Sequence, residues 1–323
     1  MPLSHPNAIV TAVGRSLTAA EGAVLRVEAS LGVLGGHDGM ILTVWRGSKL
    51  ADLAAGDPVE LALGEVDSEV DVTAGKVCAI SARGSLLEIE ILAGTAALSR
   101  TYLSKTYLNQ SVGDVVRDLA SAVDIDTVDA SVSLSAYAID DRRPAWSHLC
   151  DLAELVDADL GASDAGALRF VPVSSAAPVS LSAAGDVLAW SIGARTAPGT
   201  RAVAAYGAAS EAGADQWHWL LRAPSASGSG ALRVVHGFHT RDLADQLATA
   251  LSARADRRAL GGTAVLIGHP ELRPGDAIQV SDAPGGDPGA LRVVRIDHVL
   301  DATRGFTTTV SVEAAGGAGG GLP

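Results

Sequence analysis

The sequence predicts an α+β chain in which two similar small, tube-like β-barrels flank an α/β module and a helical segment inserted between them. Three observations carry this. Runs that alternate apolar and polar residues fill both ends of the chain, with the two-residue period of a half-buried strand. The period becomes helical near residue 110. A set of turn and strand signals near the start also returns, in the same order, towards the end.

The first barrel is expected over residues 1–98, with strands at 24–29, 40–45, 59–63, 77–80 and 86–91. Glycine turns punctuate them at Gly35-Gly36, Gly47, Gly56-Asp57 and Gly84. Residues 99–173 form the α/β module. Its first helix is capped by Ser111 with Asp114 three positions on, and Val112, Val115, Val116, Leu119 and Val123 share one face. Its second helix starts at Pro144 and buries Trp146, Leu149, Cys150, Ala153 and Val156. Strands are read at 132–139 and 168–173.

The second barrel is assembled from 174–215 and 262–314, with strands at 187–192 and 201–206. Between these pieces, 216–261 is an insertion made of a flexible loop at 223–230 and a helix over 240–260. Leu243, Leu247, Ala250, Leu251 and Arg254 keep register along that helix, and Gly261-Gly262 is read as its C-terminal cap. Residues 315–323 form a glycine-rich flexible tail.

The repeat supports the two-barrel reading. Residues 53–61 resemble 272–280, each an apolar lead into a Gly-Asp turn (Gly56-Asp57, Gly275-Asp276) that feeds an alternating strand. Residues 77–80 match 293–296, and 84–91 match 305–312. Two similar units per chain suit symmetry matching: a trimer would display six of them in a ring.

Composition narrows the function. The 323 residues are 48% hydrophobic but 4% aromatic, so Ala, Val, Leu and Ile must build the core of an expected two to four domains. A net charge of -13 argues against gripping nucleic acid by its phosphates and against a membrane surface. Lysines occur only at 49, 76 and 105; the arginines are scattered, as a GC-rich coding background would give. Cys78 and Cys150 are far apart and read as small buried hydrophobes, with no disulfide frame or zinc knuckle. The start of the chain lacks signal-peptide character, and no run of about 18 apolar residues occurs. Synthesis in the cytoplasm is the expectation.

The stretch 101–116 is similar to the strand-to-helix segment of the phage late control D proteins, hub proteins of contractile-tail baseplates. Residues 137–159, with Arg142-Arg143 and Trp146 before Leu149, resemble that family's second helix, and 268–276 its glycine-rich entry to the second barrel. The resemblance spans about residues 20 to 314. It implies the hub fold shared with the N-terminal part of VgrG spikes, a homotrimer, and a structural role joining a sixfold inner tube to a threefold spike. The implied partners are an inner tube protein, a spike protein and other baseplate components, within a phage tail, tailocin or extracellular injection system. With the sequence ending at residue 323, no room remains for a VgrG needle, so a separate spike protein is expected.

Candidate chemistry is sparse, and no catalytic, cofactor-binding or metal residue is assigned. His236 and His239 have HxxH spacing but no following glutamate of a zinc protease motif. Gly228-Ser229-Gly230 is no nucleophile elbow. The pairs Asp124/Asp126, Asp140/Asp141 and Asp157/Asp159 could bind a cation or act as acid and base but sit at helix ends and in turns, where aspartates satisfy backbone donors. Trp217 and Trp219 would share a strand face, as a sugar platform or, more simply, as a packing contact. These acids and indoles motivate the competing expectations of a cell-wall hydrolase attached to a baseplate and a carbohydrate-binding module.

Overall fold

Alternation decides the first β region in the computed structural model, which describes residues 5–33, 35–174, 177–194, 203–209, 218–222, 232–235, 241–283 and 286–316. Strands β1 (Pro6–Ala12), β2 (Arg15–Thr18), β3 (Val24–Gly32), β4 (Gly39–Trp45), β5 (Pro58–Glu65), β6 (Val70–Arg83) and β7 (Leu86–Leu92) lie in antiparallel register. In β3, Val27, Ala29 and Leu31 point into the core, while Arg26, Glu28 and Ser30 turn outward. A 3-10 helix, Gly94–Arg100, leads out of this region.

The module follows with β8 (Lys105–Ser111), α1 (Val112–Leu119), β9 (Ile125–Val128), β10 (Ser133–Ile139), α2 (Ala145–Val156), β11 (Ala158–Ala162) and β12 (Leu168–Pro172). The Ser111 hydroxyl accepts the Asp114 N–H at 3.1 Å, the N-cap read from the sequence. Both helices turn their apolar faces onto a second core around Tyr107, Leu119, Leu149, Leu152 and Phe170. α2 ends at Asp157, whose φ of 51° is left-handed and turns the chain straight into β11.

The last region holds β13 (Val179–Ser182), β14 (Val187–Ala194), a small sheet of β15 (Val203–Ala209), β16 (His218–Arg222) and β17 (Leu232–Val235), then α3 (Arg241–Arg258), β18 (Leu260–Ile267), β19 (Ala277–Ser281), β20 (Leu291–Asp301) and β21 (Gly305–Ala314). Gly261 and Gly262 are not the cap of α3. They lie inside β18, where a Cβ on Gly261 would stand 2.7 Å from the Val312 carbonyl and one on Gly262 would collide with the Ser191 carbonyl. The pair permits close strand approach.

The repeat read from the sequence is also a repeat of backbone geometry. Gly56 and Gly275 have φ of 96° and 100°. Each glycine N–H donates to a carbonyl of the next long strand at 2.8 Å (Val77, Val293). The Asp57 and Asp276 carboxylates each accept a backbone N–H three residues back, at 2.8 and 2.7 Å. A bulge follows at Val77/Ala79 in one copy and at Val293/Arg295 in the other. Strand order agrees: β3-β4-β7-β6-β5-β1 in the first, β14-β18-β21-β20-β19-β13 in the second. The copies differ at the end, where β13 pairs parallel with β19 but β1 antiparallel with β5.

The chain is thus mostly β, with an α/β module, as the α+β expectation requires. The two copies join in one thirteen-stranded sheet, because residues 295–301 of β20 pair with 26–32 of β3. Among the described residues neither copy closes on itself as a separate barrel. One continuous core, from Ala8 to Val312, runs beneath both.

Candidate assembly surface

The β3–β20 joint shows how one copy of the repeat adds to the other. Ala29 pairs with His298, and both side chains are buried. His298 donates or accepts at Thr308 Oγ1, 2.9 Å from its Nδ1, and burial holds its pKa down at about 3. The neutral ring therefore packs as a core side chain.

The equivalent strands at the other ends are open. β6 pairs with β5 over 70–76 and with β7 over 76–83, so the far side of 77–83 has no strand partner among the described residues. Residues 79–83 are all exposed, against the usual alternation of a strand. Among the described residues β14 pairs only with β18, and Leu188 on it is 58% exposed. Unpaired edges of this kind are templates for strand addition.

The module is fastened to the second copy by charge. Arg292 on β20 donates to Asp159 on β11 and to Glu313 on β21, the latter at 2.9 Å. Arg257 on α3 reaches Asp157 at 2.9 Å and Glu313 at 3.2 Å, and Arg254 reaches Glu154 at 3.0 Å. The three arginine side chains are 3–8% exposed. Charges this deep persist only when paired. Burial lowers the pKa of Arg254; burial is also the largest single influence on Arg257, but the hydrogen bonds and charges of Asp157 and Glu313 together outweigh it and its pKa rises.

On the first copy the fastening is made by hydrogen bonds and ring packing: Trp146 on α2 donates its Nε1–H to Gly35 O at 3.1 Å and packs against His37 at 4.3 Å between ring centroids. The Gly94 N–H donates to Gly166 O at 3.1 Å, and the Asp38 carboxylate accepts the N–H of Gly32 on β3 at 2.8 Å and of Ala162 on β11 at 3.4 Å. Burial pushes the Asp38 pKa up to about 7 against the pull of those two N–H groups.

Of the acidic pairs singled out in the sequence, Asp157, Asp159, Asp140 and Asp126 have side-chain partners in the structure. Asp157 and Asp159 belong to the charge network above. Asp140 accepts from Arg142, whose guanidinium and N–H hold its pKa at about 2, and Asp141 is exposed beside it. The Asp124 carbonyl accepts the Leu168 N–H at 2.8 Å beside the parallel pairing of β9 with β12, and the Asp126 carboxylate accepts from the Thr127 hydroxyl. Cys78 and Cys150 are free and partly buried rather than fully buried. His236, His239, Ser229 and Trp217 lie outside the described residues, as does the Trp219 side chain. Among the described residues no metal-ligating cluster forms and no helix is long and apolar enough to cross a membrane. Sequence reading missed Arg257, Arg292, Glu313 and Asp38; the one signal was Arg254, a charge on the apolar face of a helix.

No family model and no curated protein matches this chain. Solved structures do. A tail protein from Neisseria meningitidis is similar over 96% of both chains at a TM-score of 0.74 and 15% identity. A 43 kDa prophage tail protein from Shewanella oneidensis covers 96% of this chain and 98% of its own at 0.70 and 15%. An Escherichia coli protein described as a component of the type VI secretion system, with structural similarity to T4 bacteriophage tail proteins, covers 94% and 76% at 0.62 and 12%. The likeness to tail proteins expected from the sequence therefore holds at the level of the fold.

Proposed function

We propose that this chain is a structural hub subunit of a contractile, tail-type particle, three copies of which close into a ring by edge-to-edge strand pairing. The observation that carries the reading is the β3–β20 joint, with the matching strand β14 at one end of the sheet and residues 77–83 of β6 without a partner on their far side among the described residues. In one copy the row Ala29, Met40, Ile91, Val77 crosses β3-β4-β7-β6; in the other, Ile192, Gly262, Val312, Val293 crosses β14-β18-β21-β20. β14 therefore stands where β3 stands, and residues 79–83 of β6 where 295–299 of β20 stand. Transferring the register of the internal joint puts Ile192 of one subunit opposite Ala82 of the next, and Ala194 opposite Ile80.

Repeating the joint three times within chains and three times between them gives six similar sheet units around a threefold axis. In this reading the units 1–98 and 174–215 with 262–314 act as tube-like segments. The pseudo-sixfold face seats an inner tube ring, and the threefold face holds a separate spike protein. The chain is made in the cytoplasm and then built into the particle. No catalysis is assigned; of the aspartates that would motivate a hydrolase, Asp140, Asp157 and Asp159 are engaged in ion pairs.

The test is a double variant, Ala82→Cys with Ile192→Cys, in a Cys78→Ser, Cys150→Ser background. Opposed residues of antiparallel strands lie within disulfide reach. Oxidation is expected to give a covalent trimer, and light scattering a mass three times 32.6 kDa, alone or with the spike protein. A monomer by light scattering and no inter-chain disulfide in either condition would overturn the reading.

A further inference from the structure

Beside the charge network lies a recess of about 270 Å³ between α3, β20, β21 and β11. Five arginines line it, Arg254, Arg257, Arg258, Arg292 and Arg295, against two carboxylates, Asp159 and Glu313. In an acidic chain with 24 Lys and Arg in all, that is a local reversal of charge. The carboxylates of Glu154, Asp157 and Asp297, which pair with Arg254, Arg257 and Arg295, do not line the recess. They hold the guanidinium groups from other sides.

The cations are short of acceptors. Arg258 is exposed one helical turn after Arg254 and forms no ion pair among the described residues. The Nη2 of Arg254, which has the Asp157 carboxylate only at 3.8 Å, and the Nε of Arg292 are buried without a hydrogen-bond partner among the described residues. Burial depresses the pKa of Arg254, and the like charges of Arg258 and Arg257 add to that against the pull of Glu154 and Asp157. Buried N–H donors without acceptors are uncommon and call for a ligand or a reason.

The geometry points to an oxyanion site: a recess in which Arg258, Arg254 and Arg292 take a tetrahedral phosphate-type or planar carboxylate group. Guanidinium forks match both shapes by paired N–H···O bonds, where a lysine would supply only a point charge. The volume leaves room for the anion and several waters, at about 30 Å³ each. The group can come from a free ion or from an acidic side chain of a neighbouring protein in the particle.

Thermal unfolding of the full chain in inorganic phosphate, in acetate and in chloride, at matched ionic strength, tests this and separates the two sources. An anion that binds the folded chain raises its Tm with a saturating dose response. Phosphate above chloride is the expected result and identifies a tetrahedral anion; acetate alone above chloride keeps the site and identifies a carboxylate. Neither exceeding chloride overturns the proposal. The exposed position supplies the locating variant. Arg258→Gln is expected to weaken the apparent affinity about fivefold or more through loss of a charge-assisted bond, and an unchanged dose response would overturn the placement.

Discussion

At equivalent rows of the two sheet copies, Lys76 pairs with Leu92 in the first and Arg292 with Glu313 in the second. The backbone around the rows is the same, down to the glycine turn, the aspartate that closes it and the bulge beyond. What differs is the attachment of the module. The second copy holds it through buried ion pairs that converge on Arg292 and Glu313. The first holds it through the Gly94–Gly166 backbone contact, the Asp38 carboxylate and Trp146 against Gly35 and His37, and Gly75 has no room for a Cβ because the Leu92 carbonyl occupies that space. Turn geometry thus makes the repeat, and one row of side chains decides what each copy carries.

The largest expected effect tests that row. Arg292→Leu leaves Asp159 buried without its cation and Glu313 with Arg257 alone, and should destabilise by about 3–5 kcal/mol, measured by urea unfolding. Lys76→Leu at the equivalent, exposed place should stay within about 0.5 kcal/mol. Equal losses would erase the distinction between the copies.

A smaller effect sharpens it. Gly56→Ala and Gly275→Ala both force a side chain into a positive φ, at about 1–3 kcal/mol each. A Cβ on Gly56 meets nothing within 4 Å, whereas one on Gly275 meets Asp159 Oδ2 at 3.3 Å. The second variant should therefore lose more stability than the first, and the reverse order in thermal melts would count against the module's seat on that turn.

The smallest effect is a slope. Asp38, between the first copy and the module, has a folded pKa near 7, above its ordinary 3.8. Its contribution to stability is full below about pH 4 and is lost as pH rises through 7. His298, at the joint, is held at about 3, below its ordinary 6.5, so its contribution is full above that value and lost as pH falls towards 3. The two oppose each other between about pH 4 and pH 7. Asp38→Asn removes the first, so stability should rise more steeply with pH in that window than in the unaltered chain. Identical pH profiles would show that Asp38 does not titrate there.

The repeat was legible because its signals are local: a glycine that must take positive φ, an aspartate that closes its own turn, and strands that alternate. The module helices were legible from Ser111 and Pro144 for the same reason. The joint was not, since Ala29 and His298 are brought together only by tertiary pairing. Nor was the charge network, whose members come from α2, α3, β11, β20 and β21. Asp157 looked like a helix-end residue, and its left-handed backbone is that, but its carboxylate belongs to Arg257. Gly261-Gly262 misled because a cap and a close strand approach demand the same missing Cβ.

Pairing of residues 26–32 with 295–301 also sets an order of events during synthesis. The strand that covers β3 leaves the ribosome only after the whole module and α3 have been made. At about 5–20 residues per second, β3, already paired with β4, waits tens of seconds for its second neighbour. During that interval the nascent chain is a natural client for chaperones that shield exposed strands. Slow codons placed before the β20 coding stretch would lengthen the wait and lower the yield of folded protein, with no change in the final sequence.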